Sequence, residues 1–186
     1  MPTRKNANDR DGGVRYAIEK CSLGLVLIAA TQHGICAVWF GDNRQELERQ
    51  LKHDFPAAST DGTDKEFDGW VSEVIARIEH PGAETDLPLD MTGTPFQKRV
   101  WAALRKIPSG KTASYSQIAA RINHPTAQRA VARACATNPV GVIVPCHRVI
   151  ALDGKISGYA GGVERKQALL KREAENAGVR HEPSLV

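Results

Sequence analysis

The stretch Ser114 to Ala136, SYSQIAARINHPTAQRAVARACA, reads as two short helices about a turn. Ser114 with Gln117 three residues on forms a capping box, opening a short helix through Ile118, Ala119 and Ile122. Asn123-His124-Pro125 turns the chain, and a further helix is expected from about Thr126 to Ala136. Short helix, tight turn and second helix make the helix-turn-helix pattern, which helical proteins also contain by accident. The second helix is nearly bare. Ala127, Ala130, Ala132, Ala134 and Ala136 line it, and Arg129 and Arg133 lie one turn apart. A thin, partly basic helix can approach a groove wall closely, although an alanine-rich helix is also simply a good helix.

Charge favours the groove. Residues 1–92 hold 10 Lys/Arg against 16 Asp/Glu, whereas residues 93–186 hold 15 against 5. A basic second half suits a polyanionic partner, with a solvated basic surface as the alternative. Upstream, Thr94-Pro95-Phe96-Gln97 supplies another capping box with proline at the first helical position. Phe96, Val100, Trp101 and Leu104 continue it as a core-facing stripe, stopped by Pro108-Ser109-Gly110. A last helix is expected from about Val163 to Asn176, with Leu169 and Leu170 inward and Glu173 on it.

The first half has a different texture. Val14–Glu19, Leu25–Ala30 and Ile35–Phe40 are β-type runs separated by turn signals, so an antiparallel meander is expected. Asp42 can cap a helix bearing Leu47, Leu51 and Phe55 on one face. A second helix is expected over about 65–80, with Phe67, Val71, Val74, Ile75 and Ile78 apolar and Pro81-Gly82 at its end. Leu87-Pro88-Leu89 reads as a weak strand. Residues 1–13 have almost no apolar content and read as a disordered tail, and 178–186 read as a second tail. The fold class is therefore an α/β module, residues 14–92, followed by a mostly helical module, residues 93–177. With 41% hydrophobic and 25% charged residues, the chain is composed like a soluble globular protein. It has no apolar run near the roughly 20 residues that span a bilayer. It also lacks a secretory stretch and a disulfide-like cysteine pattern, so a reducing cytoplasm is the expected setting.

Chemistry enters at Pro145-Cys146-His147-Arg148-Val149, after the apolar run Val140–Val144, which could be a buried strand or an extended segment. A cysteine beside an imidazole and near a guanidinium has a setting that favours thiolate, the nucleophilic form. The five residues alone equally admit a buried structural cysteine.

Taken together, these residues resemble the 6-O-alkylguanine-DNA alkyltransferase family, whose signature is Pro-Cys-His-Arg-Val after a helix-turn-helix. Gly93 to Gln97, Val100-Trp101, Ile107 to Gly110, Ser114-Tyr115, Arg129-Ala130-Val131, Asn138-Pro139 and Ser157-Gly158-Tyr159 fall in the family's order. So do Lys166, Leu169-Leu170 and Glu173. Arg15-Tyr16-Ala17, Gly34-Ile35-Cys36 and Leu87 to Asp90 are most similar to the branch containing the carboxy-terminal half of bacterial adaptive-response proteins.

The resemblance implies a ribonuclease H-like first module and a winged helix-turn-helix second module. It implies one-time transfer of a methyl or small alkyl group from 6-O-alkylguanine, and from 4-O-alkylthymine, in double-stranded DNA. Cys146 would be the acceptor, His147 its base through a water, Glu173 the group orienting that imidazole and Asn138 the brace of the active-site turn. Tyr115 would donate a proton to the departing purine. Val149, Ser157, Gly158, Tyr159, Ala160 and Cys135 would surround the flipped base. Arg129 would enter the base stack from the minor groove, with Ala127, Gln128, Ala130, Ala132 and Arg133 against the DNA. A monomer needing no cofactor is implied, with no membrane.

Departures bear on the details. Ala160 stands where some members carry a small hydroxyl residue, removing a donor to the purine oxygen, so altered pocket selectivity is expected. Gln128 stands where alanine is frequent, which could change the groove contact. Thr31 and Cys36 replace the Cys and His that hold a structural zinc in some members, so no metal is expected, although His33, Cys36 and Cys21 could form a partial site. No counterpart of the adaptive-response protein's amino-terminal cysteine-rich modules is present, so a transcriptional role has little support. Two competing readings are a lesion-binding protein without chemistry and a cysteine hydrolase. The first conflicts with Cys146, and the second leaves the basic helix-turn-helix unexplained.

Overall fold

Three strands open the computed structural model, which describes residues 13–60, 64–82, 86–156 and 158–178. The expected tails lie outside these residues apart from Gly13 and Gly178. β1 (Arg15–Cys21), β2 (Gly24–Thr31) and β3 (Gly34–Gly41) pair antiparallel in chain order, as the meander requires. Side chains alternate across a strand, so β2 turns Leu27 and Ala29 to one face and Val26, Ile28 and Ala30 to the other. Register slips between Ala29 and Ala30, leaving Cys36 as the extra residue of β3.

The first face packs on α1 (Arg44–Asp54) through Leu47 and Leu51, and Trp39 stacks on Phe55 at 6.4 Å. Asn43, not Asp42, caps this helix. Its side chain accepts from the Gln45 and Glu46 amides at 2.8 and 3.2 Å, while Asp42 is drawn to Arg165. The other face continues into one core that includes Phe67, Val74 and Ile78 of α2 (Lys65–Glu79) and runs on through the second half.

Leu87–Leu89 does not form a strand. It makes a single parallel bridge beside β3, with the Ile35 amide on the Pro88 carbonyl at 2.8 Å and the Asp90 amide on the Ile35 carbonyl at 2.9 Å. Gly34 makes this crossing possible. With φ at +141°, a Cβ there would lie 2.4 Å from the Pro88 oxygen. Thr31, at one altered metal position, donates its hydroxyl to Asp90 at 2.7 Å.

α3 (Pro95–Leu104) carries its full capping box and ends before the Pro108-Ser109-Gly110 stop, where Ile107 turns its carbonyl to Arg148. It docks on the second half through the Trp101 indole, which donates to the Ala134 carbonyl at 2.9 Å. β4 (Ala113–Ser114) leads into α4 (Tyr115–Arg121), again with a complete box. α5 (Gln128–Ala136) begins two residues later than the pattern suggested. Asn123 adopts a left-handed φ of 60°, and the turn is closed by the Ala127 amide on the His124 carbonyl at 2.9 Å.

The run Val140–Val144 is neither strand nor extended. It is a buried turn in which the Val144 amide reaches the Val140 carbonyl at 3.0 Å and Val142 is held at φ +68°. A β-branched residue there is strained. Only firm packing sustains it: Val142 is buried, and β3 pins the turn through Val38, whose amide donates to Pro139 and whose carbonyl accepts from Gly141. A 3-10 turn (Cys146–Arg148) and β5 (Val149–Ile150) follow, and β5 runs parallel to β4. α6 (Val163–Asn176) closes the order. Among the described residues no helix is long and apolar enough to cross a membrane.

Candidate active site

The strained turn delivers Cys146. One side-chain amide holds that turn together: Asn138 Nδ2 donates to the Val144 carbonyl at 2.8 Å, and Oδ1 accepts from the Val140 amide at 3.1 Å. The same Nδ2 touches Cys146 Sγ at 3.2 Å. Behind the sulfur, His147 Nε2 lies 2.8 Å from Glu173 Oε1, both fully buried, so the imidazole is fixed by α6. Its Nδ1 has no hydrogen-bond partner among the described residues. An Nε2–H directed at a carboxylate leaves Nδ1 with its lone pair, the form a proton acceptor needs.

Arg148 corrects one expectation. Its guanidinium does not serve the thiol. Nε and Nη2 donate to Glu173 at 2.8–3.1 Å, and Nη1 reaches the Ile107 carbonyl. Burial alone would raise Glu173, but hydrogen bonds from His147 and Arg148 outweigh it and bring the carboxyl to about 2. Burial pushes the Cys146 thiol up, against the Asn138 amide and the Lys166 charge, and burial pushes the His147 imidazole down, against Glu173. The pair therefore rests as thiol and neutral imidazole, and the thiol becomes a thiolate only if a base takes its proton.

Lys166 was visible in sequence only as a matching position. It is fully buried, and its Nζ donates to the Val149 carbonyl at 2.6 Å. Burial lowers its pKa while negative charge at Cys146 or Cys135 would raise it, so it favours charge on the sulfur. The signal was available in the spacing. Lys166, Leu169 and Glu173 fall on the inward stripe of α6, where a charged residue needs a reason.

In front of the sulfur lies a cleft of about 470 Å³, within the usual size of small-molecule sites. Tyr115, Ala132, Cys135, Ala136, Cys146, Gly158, Tyr159 and Ala160 line it. The sequence reading missed Ala136 as a wall residue, although it follows Ala132 by one helical turn. Val149 does not join the wall. It is buried, with its amide on the Cys146 carbonyl and its own carbonyl on Lys166, so it supports the Cys146 turn from behind. Ser157 lies outside the described residues. Burial raises the Tyr115 and Tyr159 hydroxyls above their ordinary range, so both remain proton donors. Cys135 is pushed up to about 12, chiefly by burial, which leaves it a poor competitor for an electrophile.

α5 joins cleft to surface. Val131, Ala134 and Cys135 face inward, whereas Gln128, Arg129, Ala130 and Arg133 are exposed and Ala127 and Ala132 half-buried. Gln128 bends back to the Pro125 carbonyl at 2.8 Å, which closes the inter-helix turn. A larger cleft of about 720 Å³ beside α6 has no cysteine or histidine in its walls.

Residues 95–175 match the family described as 6-O-methylguanine DNA methyltransferase, DNA binding domain. The chain is 50% identical over 171 residues to the bifunctional transcriptional activator and DNA repair enzyme Ada of Escherichia coli, covering 90% of this chain and 48% of that protein. It thus spans about half the length of the Ada proteins it matches. To the methylated-DNA--protein-cysteine methyltransferase of Mycolicibacterium paratuberculosis it is 42% identical, covering 92% and 96% of the two chains. The crystal structure of Mycobacterium tuberculosis OGT in complex with DNA superposes with a TM-score of 0.72 at 35% identity, over 88% of this chain and 94% of that one.

Proposed function

Because the chain belongs to the 6-O-methylguanine DNA methyltransferase family, we propose that it repairs DNA by moving one alkyl group irreversibly onto Cys146. The observation that carries this reading is Cys146 in the wall of a cleft with room for a purine, with a buried His147–Glu173 pair behind it. The substrate is 6-O-methylguanine or a small-alkyl homologue, with 4-O-alkylthymine as a second, in double-stranded DNA approached from the minor groove by a monomeric protein. We read residues 14–92 as a ribonuclease H-like unit and 93–177 as a winged helix-turn-helix unit, working in the cytoplasm.

An ether carbon on guanine calls for a soft nucleophile attacking in line. His147 Nδ1, through a water, takes the thiol proton, and Glu173 steadies the imidazolium that forms. The C–S bond forms as the bond from carbon to the guanine oxygen breaks, and the electron pair leaves with guanine. Tyr115 donates a proton to that purine, and the proton that His147 took from the thiol returns to the tyrosine through solvent, so that both groups end neutral. Asn138 fixes the sulfur, and Gly158, Tyr159, Ala160 and Cys135 enclose the base. The thioether is stable, so the protein acts once without a cofactor. Methyl removed from DNA should therefore plateau at one per protein, an outcome that a hydrolase or a lesion binder would not give.

The target atom is buried in a duplex, so the nucleotide must leave the stack. We assign the gap to Arg129, with Ala127, Gln128, Ala130, Ala132 and Arg133 against the groove. Arg129→Ala should slow repair of methylated duplex by about tenfold or more, because ~1.4 kcal/mol is a decade in rate. Reaction with free 6-O-methylguanine, which has no stack to leave, should be almost unchanged. Equal losses on both substrates, measured in single-turnover assays, would remove the wedge assignment.

A further inference from the structure

Arg165, in the first turn of α6, makes contacts that this chemistry does not use. Its Nε donates to the Leu23 carbonyl of the β1–β2 turn at 2.7 Å, and Nη1 donates to the Gly161 carbonyl at 2.9 Å. Nη2 pairs with Asp42 beyond β3, and the guanidinium lies over the Phe40 ring at 5.8 Å. The side chain is 16% exposed. The β1–β2 turn comes so close that a Cβ on Gly24 would lie 2.9 Å from Nη2.

What Arg165 holds is one wall of the cleft. Gly161 is wedged between two rings: a Cβ there would meet Tyr159 at 2.8 Å and Phe40 at 3.1 Å. The Gly162 amide closes the turn on the Tyr159 carbonyl at 3.0 Å. Gly158, Tyr159 and Ala160 on this turn face Tyr115, Ala132, Cys135 and Ala136, which are carried by α4 and α5. The helical wall is fixed by Ile118, Ala119, Val131 and Ala134 in the core and by the Trp101 indole on the Ala134 carbonyl. The turn wall is tied instead to the amino-terminal sheet, by way of Arg165 between the Gly161 and Leu23 carbonyls and by the Phe40 ring against Gly161.

We propose that Arg165 is the positioning residue that sets the width of the cleft, and so the size of the 6-O substituent admitted, by clamping the Tyr159–Gly161 turn to the amino-terminal sheet. The proposal rests on reading the cleft as the base pocket. A planar fork serves two carbonyls and a carboxylate at once, which a lysine ammonium on the same stem cannot reproduce. The nucleophile is held by Asn138, and His147 by Glu173, neither of which Arg165 touches. Loosening the wall therefore lowers base binding and leaves the chemical step intact.

The test uses the full chain, its Arg165→Gln and Arg165→Lys variants, and free 6-O-methylguanine and 6-O-benzylguanine as probes. Half-saturating concentration and limiting rate of Cys146 alkylation are measured separately, with iodoacetamide labelling of Cys146 and thermal melting as controls. For both variants the half-saturating concentration of the methyl base should rise about tenfold, a decade in affinity. The limiting rate and iodoacetamide labelling should stay within about twofold, and the benzyl base should gain several-fold relative to the methyl base. A parallel fall of limiting rate, or folded variants indistinguishable from wild type, would overturn the clamp. Should both variants misfold, Asp42→Ala removes one arm at a mostly exposed partner and should shift the same constant by about threefold, and no shift overturns the proposal. Wild type that alkylates with neither base nor methylated duplex overturns the functional reading and the clamp with it. Active wild type with unaltered variants overturns the clamp alone.

Discussion

Replacing Cys146 by serine is expected to abolish alkyl transfer, by roughly 10⁴-fold or more, while leaving the fold and DNA binding almost unchanged. The hydroxyl is far less nucleophilic toward an ether carbon, and burial, which already opposes charge on the sulfur, would oppose an alkoxide more strongly. Asn138 can still donate to the new oxygen, so the turn keeps its brace. Gel-shift titration with methylated duplex alongside a transfer assay would separate the two effects. Residual transfer with label on Cys135 would reassign the nucleophile, although burial holds that thiol near 12.

Glu173→Gln is expected to have the second largest effect, on stability and rate together. The carboxylate receives His147 and Arg148 in a buried site, and removing its charge leaves the guanidinium uncompensated. Breaking such a pair typically costs about 3–5 kcal/mol, a large share of a domain's stability. Loss of the group that orients His147 should slow transfer by about 10²–10⁴-fold. The pH dependence follows from the depressed carboxyl. With a folded value of about 2 against an ordinary value near 4.5, ionised Glu173 contributes about 3 kcal/mol at pH above ~4.5, and this is lost as pH falls toward 2. Urea melts between pH 7 and 3 should show wild type losing stability through that window and the variant staying flatter. Parallel acid profiles would mean that Glu173 is not ionised in its pair.

The sequence made much of this arrangement legible, for identifiable reasons. Both capping boxes, at Thr94–Gln97 and Ser114–Gln117, are local hydrogen-bond patterns, and both form as read. The three-strand meander follows from alternating apolar runs with turn residues between them. The run Val140–Val144 misleads because its shape is imposed from outside, by Asn138 across the turn and by Val38 of β3 alongside it. Adjacency in sequence likewise misplaces Arg148, which lies two residues from the sulfur yet faces Glu173 on α6. The spacing on α6 marks Lys166 as inward but not its partner 17 residues away, and Arg165 acts through a contact 142 residues away, which no local pattern encodes.

The most direct measurement is the mass of the Cys146-bearing peptide after the protein is mixed with excess duplex containing 6-O-methylguanine. The account predicts one added methyl on that peptide, in an amount equal to the protein and no more, with unmodified guanine left in the DNA. Repair continuing beyond one equivalent, or lesion binding with Cys146 unmodified, would contradict it.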